Sequence, residues 1–122
     1  MTDLKKRNLF ITGNGLKILG KFVRSYRQSL STEMRLEDLK DKIEQIGYPK
    51  CSISRLSNFE IGYEKQFSPD LVAAIAVALA IPHPFEHRAY SDWELQEIAR
   101  ENLDPKTGLP SFYKDLLLNH RE

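Results

Sequence analysis

A chain of 122 residues, 41% hydrophobic and 29% charged, has the length for one compact core with an appendage and is too short for two ordinary domains. Its 18 Lys and Arg against 17 Asp and Glu leave a net charge of +1, which excludes the strongly basic block of a nonspecific nucleic-acid coat. The balance is uneven: residues 1–65 hold 13 basic and 8 acidic side chains and residues 66–122 hold 5 and 9, so the halves face different partners or each other.

The basic residues Lys5, Lys6 and Arg7 open the chain as an arm able to reach a minor groove or a phosphate track, or simply as a solvated terminus. Residues 9–11 are apolar and read as a short strand or, since a lone strand has no evident partner, rather as a strap across the domain, followed by a turn at Thr12-Gly13-Asn14-Gly15. Leu16, Leu19, Phe22, Val23 and Tyr26 recur at three- and four-residue steps and predict an amphipathic helix over 16–29, with Lys17, Lys21, Arg24 and Arg27 on the opposite, solvated face. Leu36, Leu39, Ile43 and Ile46 predict a second helix over 35–46, stopped by Gly47. Pro49 holds Tyr48 extended and lets a third helix start at Lys50, with Ile53 and Leu56 inward and an end near Gly62.

Ser68-Pro69 opens a nearly apolar fourth helix carrying Leu71, Val72, Ile75, Ala76 and Leu79, expected at the buried centre and ended by Pro82 and Pro84. Ser91-Asp92-Trp93-Glu94 has the capping-box pattern of a fifth helix reaching about Leu103. After a loop marked by Pro105, Gly108 and Pro110, Ser111 begins a short last helix with Phe112, Leu116, Leu117 and Leu118. Alternation of period two is scarce, and the predicted class is all-α. Three parts follow: an N-terminal arm (1–15), a compact helical domain (16–90) and a C-terminal helical extension (91–122).

A short turn containing glycine between the second and third helices lets the third cross the second steeply, with one side outside the core. That side offers Lys50, Cys51, Ser54, Arg55 and Asn58, a set small and polar enough to enter a DNA major groove and read base edges. Leu19-Gly20-Lys21-Phe22-Val23-Arg24, Leu36-Glu37-Asp38-Leu39, Ile53-Ser54-Arg55-Leu56, Glu60-Ile61-Gly62 and the apolar run 71–81 together resemble the helix-turn-helix family of Cro and the phage repressors, over roughly residues 16–82. The resemblance implies a compact repressor-like fold, base contacts from Lys50, Cys51 and Arg55, with Ser54 as a further candidate, and phosphate contacts from Arg35 and Lys65; Asn58 is a candidate from its place on the exposed side of the helix alone. Arg55 leads, because a guanidinium bonds both acceptors of guanine. The pattern departs from the family at Lys40, where a small alanine usually packs on the recognition helix, and in extra residues before Gly47 and between Leu56 and Glu60.

No paired nucleophile and base and no phosphate-binding glycine loop is readable, so neither catalysis nor a cofactor is expected. His83, Glu86 and His87 echo a metal-site spacing, but Pro82 and Pro84 disfavour the regular helix it requires, and no metal is expected. The single Cys51 excludes an internal disulfide and fits a reducing compartment. The longest nearly apolar run, 71–81, falls well short of the ~20 residues of a bilayer span, and the start lacks a secretory signal. The expectation is therefore a cytoplasmic, sequence-specific regulator of transcription that binds double-stranded DNA as a homodimer, without a membrane segment. The apolar C-terminal residues serve either the dimer contact or the core. The alternative is a protein-interaction adaptor or antitoxin-like module on the same scaffold, which would show neither a salt-dependent affinity for DNA nor a preferred duplex.

Overall fold

The computed structural model describes residues 8–32, 34–47, 51–63 and 67–111. They form five helices: α1 (Gly13–Ser29), α2 (Leu36–Ile46), α3 (Ile53–Ile61), α4 (Pro69–Leu79) and α5 (Asp92–Ala99). Helix α1 packs on α3 and α5, α2 packs on α3 and α4, and α4 packs on α5. The described residues contain two isolated β-bridges and no strand. No helix among them is long and apolar enough to cross a membrane.

The core follows the predicted stripes. Leu19 and Val23 of α1, Leu39 and Ile43 of α2, Leu56 of α3, Leu71, Val72 and Ile75 of α4, and Leu95, Ile98 and Ala99 of α5 are all buried together. Ser68 caps α4, its hydroxyl accepting from the Leu71 amide at 3.3 Å, and Pro69 occupies the first turn, where a missing N–H costs nothing. Ser91 and Glu94 form the expected reciprocal capping box of α5. That helix ends at Ala99, short of Leu103, and Arg100 is its C-cap. It completes the core that α1 and α4 begin.

Helix α1 starts inside the expected turn. Thr12 is its N-cap, accepting from the Gly15 amide at 2.8 Å, so Gly13, Asn14 and Gly15 are helical. Gly15 is required by proximity: a Cβ there would collide with the backbone carbonyl of Ala99 at the end of α5. The expected strap 9–11 is corrected in the same region. Leu9 and Phe10 are 76% and 78% exposed, and only Ile11 packs on the core. The segment is held by polar bonds instead, with the Asn8 side chain donating to the Arg100 carbonyl and Asn102 Nδ2 donating to the Asn8 carbonyl, both at 2.8 Å.

The larger correction concerns Arg27, expected on the solvated face of α1. It is 7% exposed, and its Nε and Nη2 donate to the two Glu60 carboxylate oxygens at 2.8 Å each, while Nη1 donates to the Met34 carbonyl at 2.7 Å. Glu60 is 5% exposed. The bidentate pair thus ties α1 to the end of α3 and to the connection that enters α2. Gly20 makes this approach possible, since a Cβ there would strike the carbonyls of Phe59 and Glu60.

His83, Glu86 and His87 do not assemble as ligands. His83 Nδ1 accepts from the amides of Phe85 and Glu86 at 3.1 and 3.2 Å, closing a tight loop, and Glu86 pairs with Arg88. Arg88 in turn donates to both oxygens of Glu94 at 2.7 and 2.8 Å. These hydrogen bonds from Arg88 hold the Glu94 carboxyl down at about 2, against the opposing effect of burial.

Two predictions follow from these charges. Arg27→Met leaves the Glu60 carboxylate buried without its main partner, and chemical denaturation is expected to show a loss of about 3–5 kcal/mol. Adding Glu60→Leu restores part of it, because no uncompensated charge remains. For Glu94, a depressed folded-state value means that its contribution is complete above ~4.3, the value in the unfolded chain, and disappears as the pH falls toward 2. Glu94→Gln is therefore expected to lower stability at pH 7 by about 1–2 kcal/mol, discounted for the half-exposed Arg88, and to flatten the melting temperature between pH ~4.5 and ~2.

Candidate nucleic-acid interface

The α2–α3 pair is set by its caps. Arg35, the N-cap of α2, has extended backbone, and its amide donates to Asp38 Oδ2 at 2.9 Å. Gly47 ends α2 in the left-handed conformation at φ 109°, its amide bonded to the Ile43 and Glu44 carbonyls. Ser52 caps α3, its hydroxyl accepting from the Arg55 amide at 3.0 Å. Gly62 closes α3 at φ 78°, as the Glu60-Ile61-Gly62 motif anticipates.

Leu56, Phe59 and Glu60 are the buried residues of α3. At 100° per residue their common direction leaves Ser54, Asn58 and Ile61 on the outer side, with Ser57 and Arg55 at its edges, while Ile53, rotated toward the buried side, is exposed in the first turn. Ser54, Asn58 and Ile61 are exposed, and Ser57 and Arg55 are partly exposed. The outer face is thus small, uncharged and mixed in polarity, with its one cation at the margin.

Several expected positions move. Lys50, Lys65, Lys5, Lys6 and Arg7 lie outside the described residues, as do residues 112–122 with the expected last helix. Cys51, expected on the exposed side, is 4% exposed and precedes the helix, its Sγ lying 3.9 Å from the Ser52 carbonyl. The buried position takes the thiol off the outer surface. Ile53, expected inward, is 41% exposed. Both corrections have one cause, the start of α3. Pro49 permits a start at Lys50, but Ser52 is the N-cap, so Cys51 precedes the helix and Ile53 sits in its exposed first turn, while Leu56 inward and Ser54 and Asn58 outward stay as the spacing places them. The Ser52 hydroxyl, three residues before Arg55, was the available signal.

Arg35 and Lys40 complete the surroundings. The Arg35 side chain is exposed at the amino end of α2, 4.0 Å from the Asp38 carboxylate, a surface pairing that leaves the guanidinium accessible. Lys40 is partly exposed and bonds Glu44 one turn on at 2.9 Å. Its charge is therefore accommodated along α2. The exposed Lys17, Lys21 and Arg24 form a cationic row on α1, and Lys17 abuts Gly62 at the end of α3. Their spacing of four and three residues was readable as a stripe, although the sequence gave no reason to place it beside α3.

The face can offer hydrogen bonds and apolar contact, and the described residues contain no group of three or more His, Cys, Asp or Glu able to hold a metal. Comparison of the chain with protein families, with curated proteins and with solved structures finds no match. The position of Cys51 has a direct check. A thiol-reactive chromophore is expected to label the native protein far more slowly than the urea-unfolded chain, because the thiol is shielded in the fold.

Proposed function

We propose that the chain is a sequence-specific DNA-binding regulator of transcription, a repressor-like helix-turn-helix protein that inserts α3 into the major groove. The observation that carries this reading is the outer face of α3. Its small polar residues Ser54, Ser57 and Asn58 stand on a helix whose opposite side is held by Leu56, Phe59 and the Arg27–Glu60 pair. A major groove ~12 Å wide admits such a helix, and small side chains let its backbone approach the bases. Arg35 beside the amino end of α2 supplies a phosphate contact, which positions the protein without selecting a sequence. As a two-fold dimer, the protein sets two copies of α3 about 34 Å apart on a palindromic site.

A second reading, a protein-interaction adaptor, is favoured by Val77 on α4, Phe85 in the following loop and Trp93 on α5, large apolar side chains that are all more than half exposed. The two readings differ in a salt titration. Duplexes recovered by random-sequence selection at a stated salt concentration are expected to bind with log affinity falling linearly with log salt. Arg35→Ala is expected to weaken cognate and scrambled duplexes alike and to reduce the slope by about one per protomer. Recovery of no preferred sequence, with capture of a defined protein through Trp93, would establish the adaptor.

A further inference from the structure

Resting on the DNA-binding reading, we infer that α3 selects A·T base pairs, with Ile53 packing on the methyl group of a thymine and Asn58 bonding an adenine at another base pair. The surface of α3 leads to this assignment by elimination and by chemistry. The side chains that would favour guanine are cations, and among the residues of α3 the one cation, Arg55, is partly buried, whereas Ile53 in the first turn is exposed. The centre of the outer face carries Ser54 and Asn58, one turn apart and both exposed. A carboxamide presents one acceptor and one donor side by side, which matches the N6 donor and N7 acceptor of adenine. Serine bonds any base and so adds no preference of its own.

Ile53 supplies the second element. It begins α3 immediately after the Ser52 cap, and at 41% exposure its side chain is neither in the core nor fully solvated. A β-branched hydrocarbon at the leading end of a groove-binding helix has one complementary feature among the base edges, the C5 methyl of thymine. The same group repels the polar edge of cytosine, which has no methyl and an amino donor that Ile53 leaves unsatisfied. Adenine on one pair and thymine on another both describe A·T pairs, so two chemically unlike side chains select the same composition.

The test uses the full chain and a duplex obtained by random-sequence selection. Each thymine of the selected site is replaced in turn by deoxyuridine, which lacks only the methyl, and each adenine by 7-deazaadenine, which lacks the N7 acceptor. At one thymine per half-site, deoxyuridine is expected to weaken binding about fourfold, the value of one buried methyl, and to leave Ile53→Ala unaffected. At one adenine, 7-deazaadenine is expected to weaken binding at least about fivefold and to leave Asn58→Ala unaffected. The analogue series on the unaltered protein stands whether or not the variants fold, and melting temperatures check the variants. A selected motif insensitive to both analogues, or one that depends on guanine through Arg55, overturns the A·T assignment and leaves DNA binding intact. Selection of no motif at all overturns both.

Discussion

The Arg27–Glu60 pair is the contact on which the arrangement of the first three helices depends. Arg27 uses three nitrogens, two on the Glu60 carboxylate and one on the Met34 carbonyl, so a single side chain joins α1, the end of α3 and the entry to α2. Two charges so far from water incur a desolvation cost of several kcal/mol each, and the bidentate geometry offsets it only while both partners are in place. The result is directional. Hydrophobic contact between α1 and α3 would tolerate sliding or rotation, whereas a planar guanidinium on a planar carboxylate accepts one register.

Glycine makes that register accessible. Gly20 removes the one side-chain atom that would keep α1 away from the Phe59 and Glu60 carbonyls, and Gly15 does the same for the other end of α1 against Ala99. Both sit inside a helix, where glycine is intrinsically worse than alanine by about 1 kcal/mol, and close packing is the compensation. Helix α1 is thereby drawn against α3 at one place and α5 at another. The consequence reaches the candidate interface, because the face of α3 turned outward is the one left after Leu56, Phe59 and Glu60 have been drawn inward.

The charge distribution fits this division. The first 65 residues carry the basic surplus, and among the described residues its exposed members are Lys17, Lys21 and Arg24 on α1, Arg35 at the start of α2 and Lys42 within it, with Lys17 beside Gly62 at the end of α3. The acidic surplus lies beyond residue 65, where part of it is used internally: Glu94 by Arg88, Glu97 by Arg100, and Glu101 by the hydroxyl of Thr12 and the side-chain Nδ2 of Asn14. A near-neutral chain can thus present a locally cationic surface. In a DNA-binding reading, weak overall attraction leaves discrimination to the few side chains on α3.

Periodicity and capping are local properties of the chain, so the helical class, the order of α1 to α5, most of their buried stripes and the caps at Ser68, Ser91, Gly47 and Gly62 were legible before any tertiary contact was known. The Arg27 error shows the limit of reading charge before position. Leu19, Val23 and Arg27 follow one another at four-residue steps, so periodicity already placed Arg27 on the buried face, but nothing local identified Glu60, 33 residues away, as the partner that makes burial tolerable. Only the tertiary structure decided that pairing. It also set Ser52 as the N-cap of α3, which leaves Cys51 ahead of the helix and buried and Ile53 exposed in the first turn. Leu56, Phe59 and Glu60 form the buried side of α3, which packs on α1 and α2, and that long-range contact, absent from any local window, fixes what is left outside.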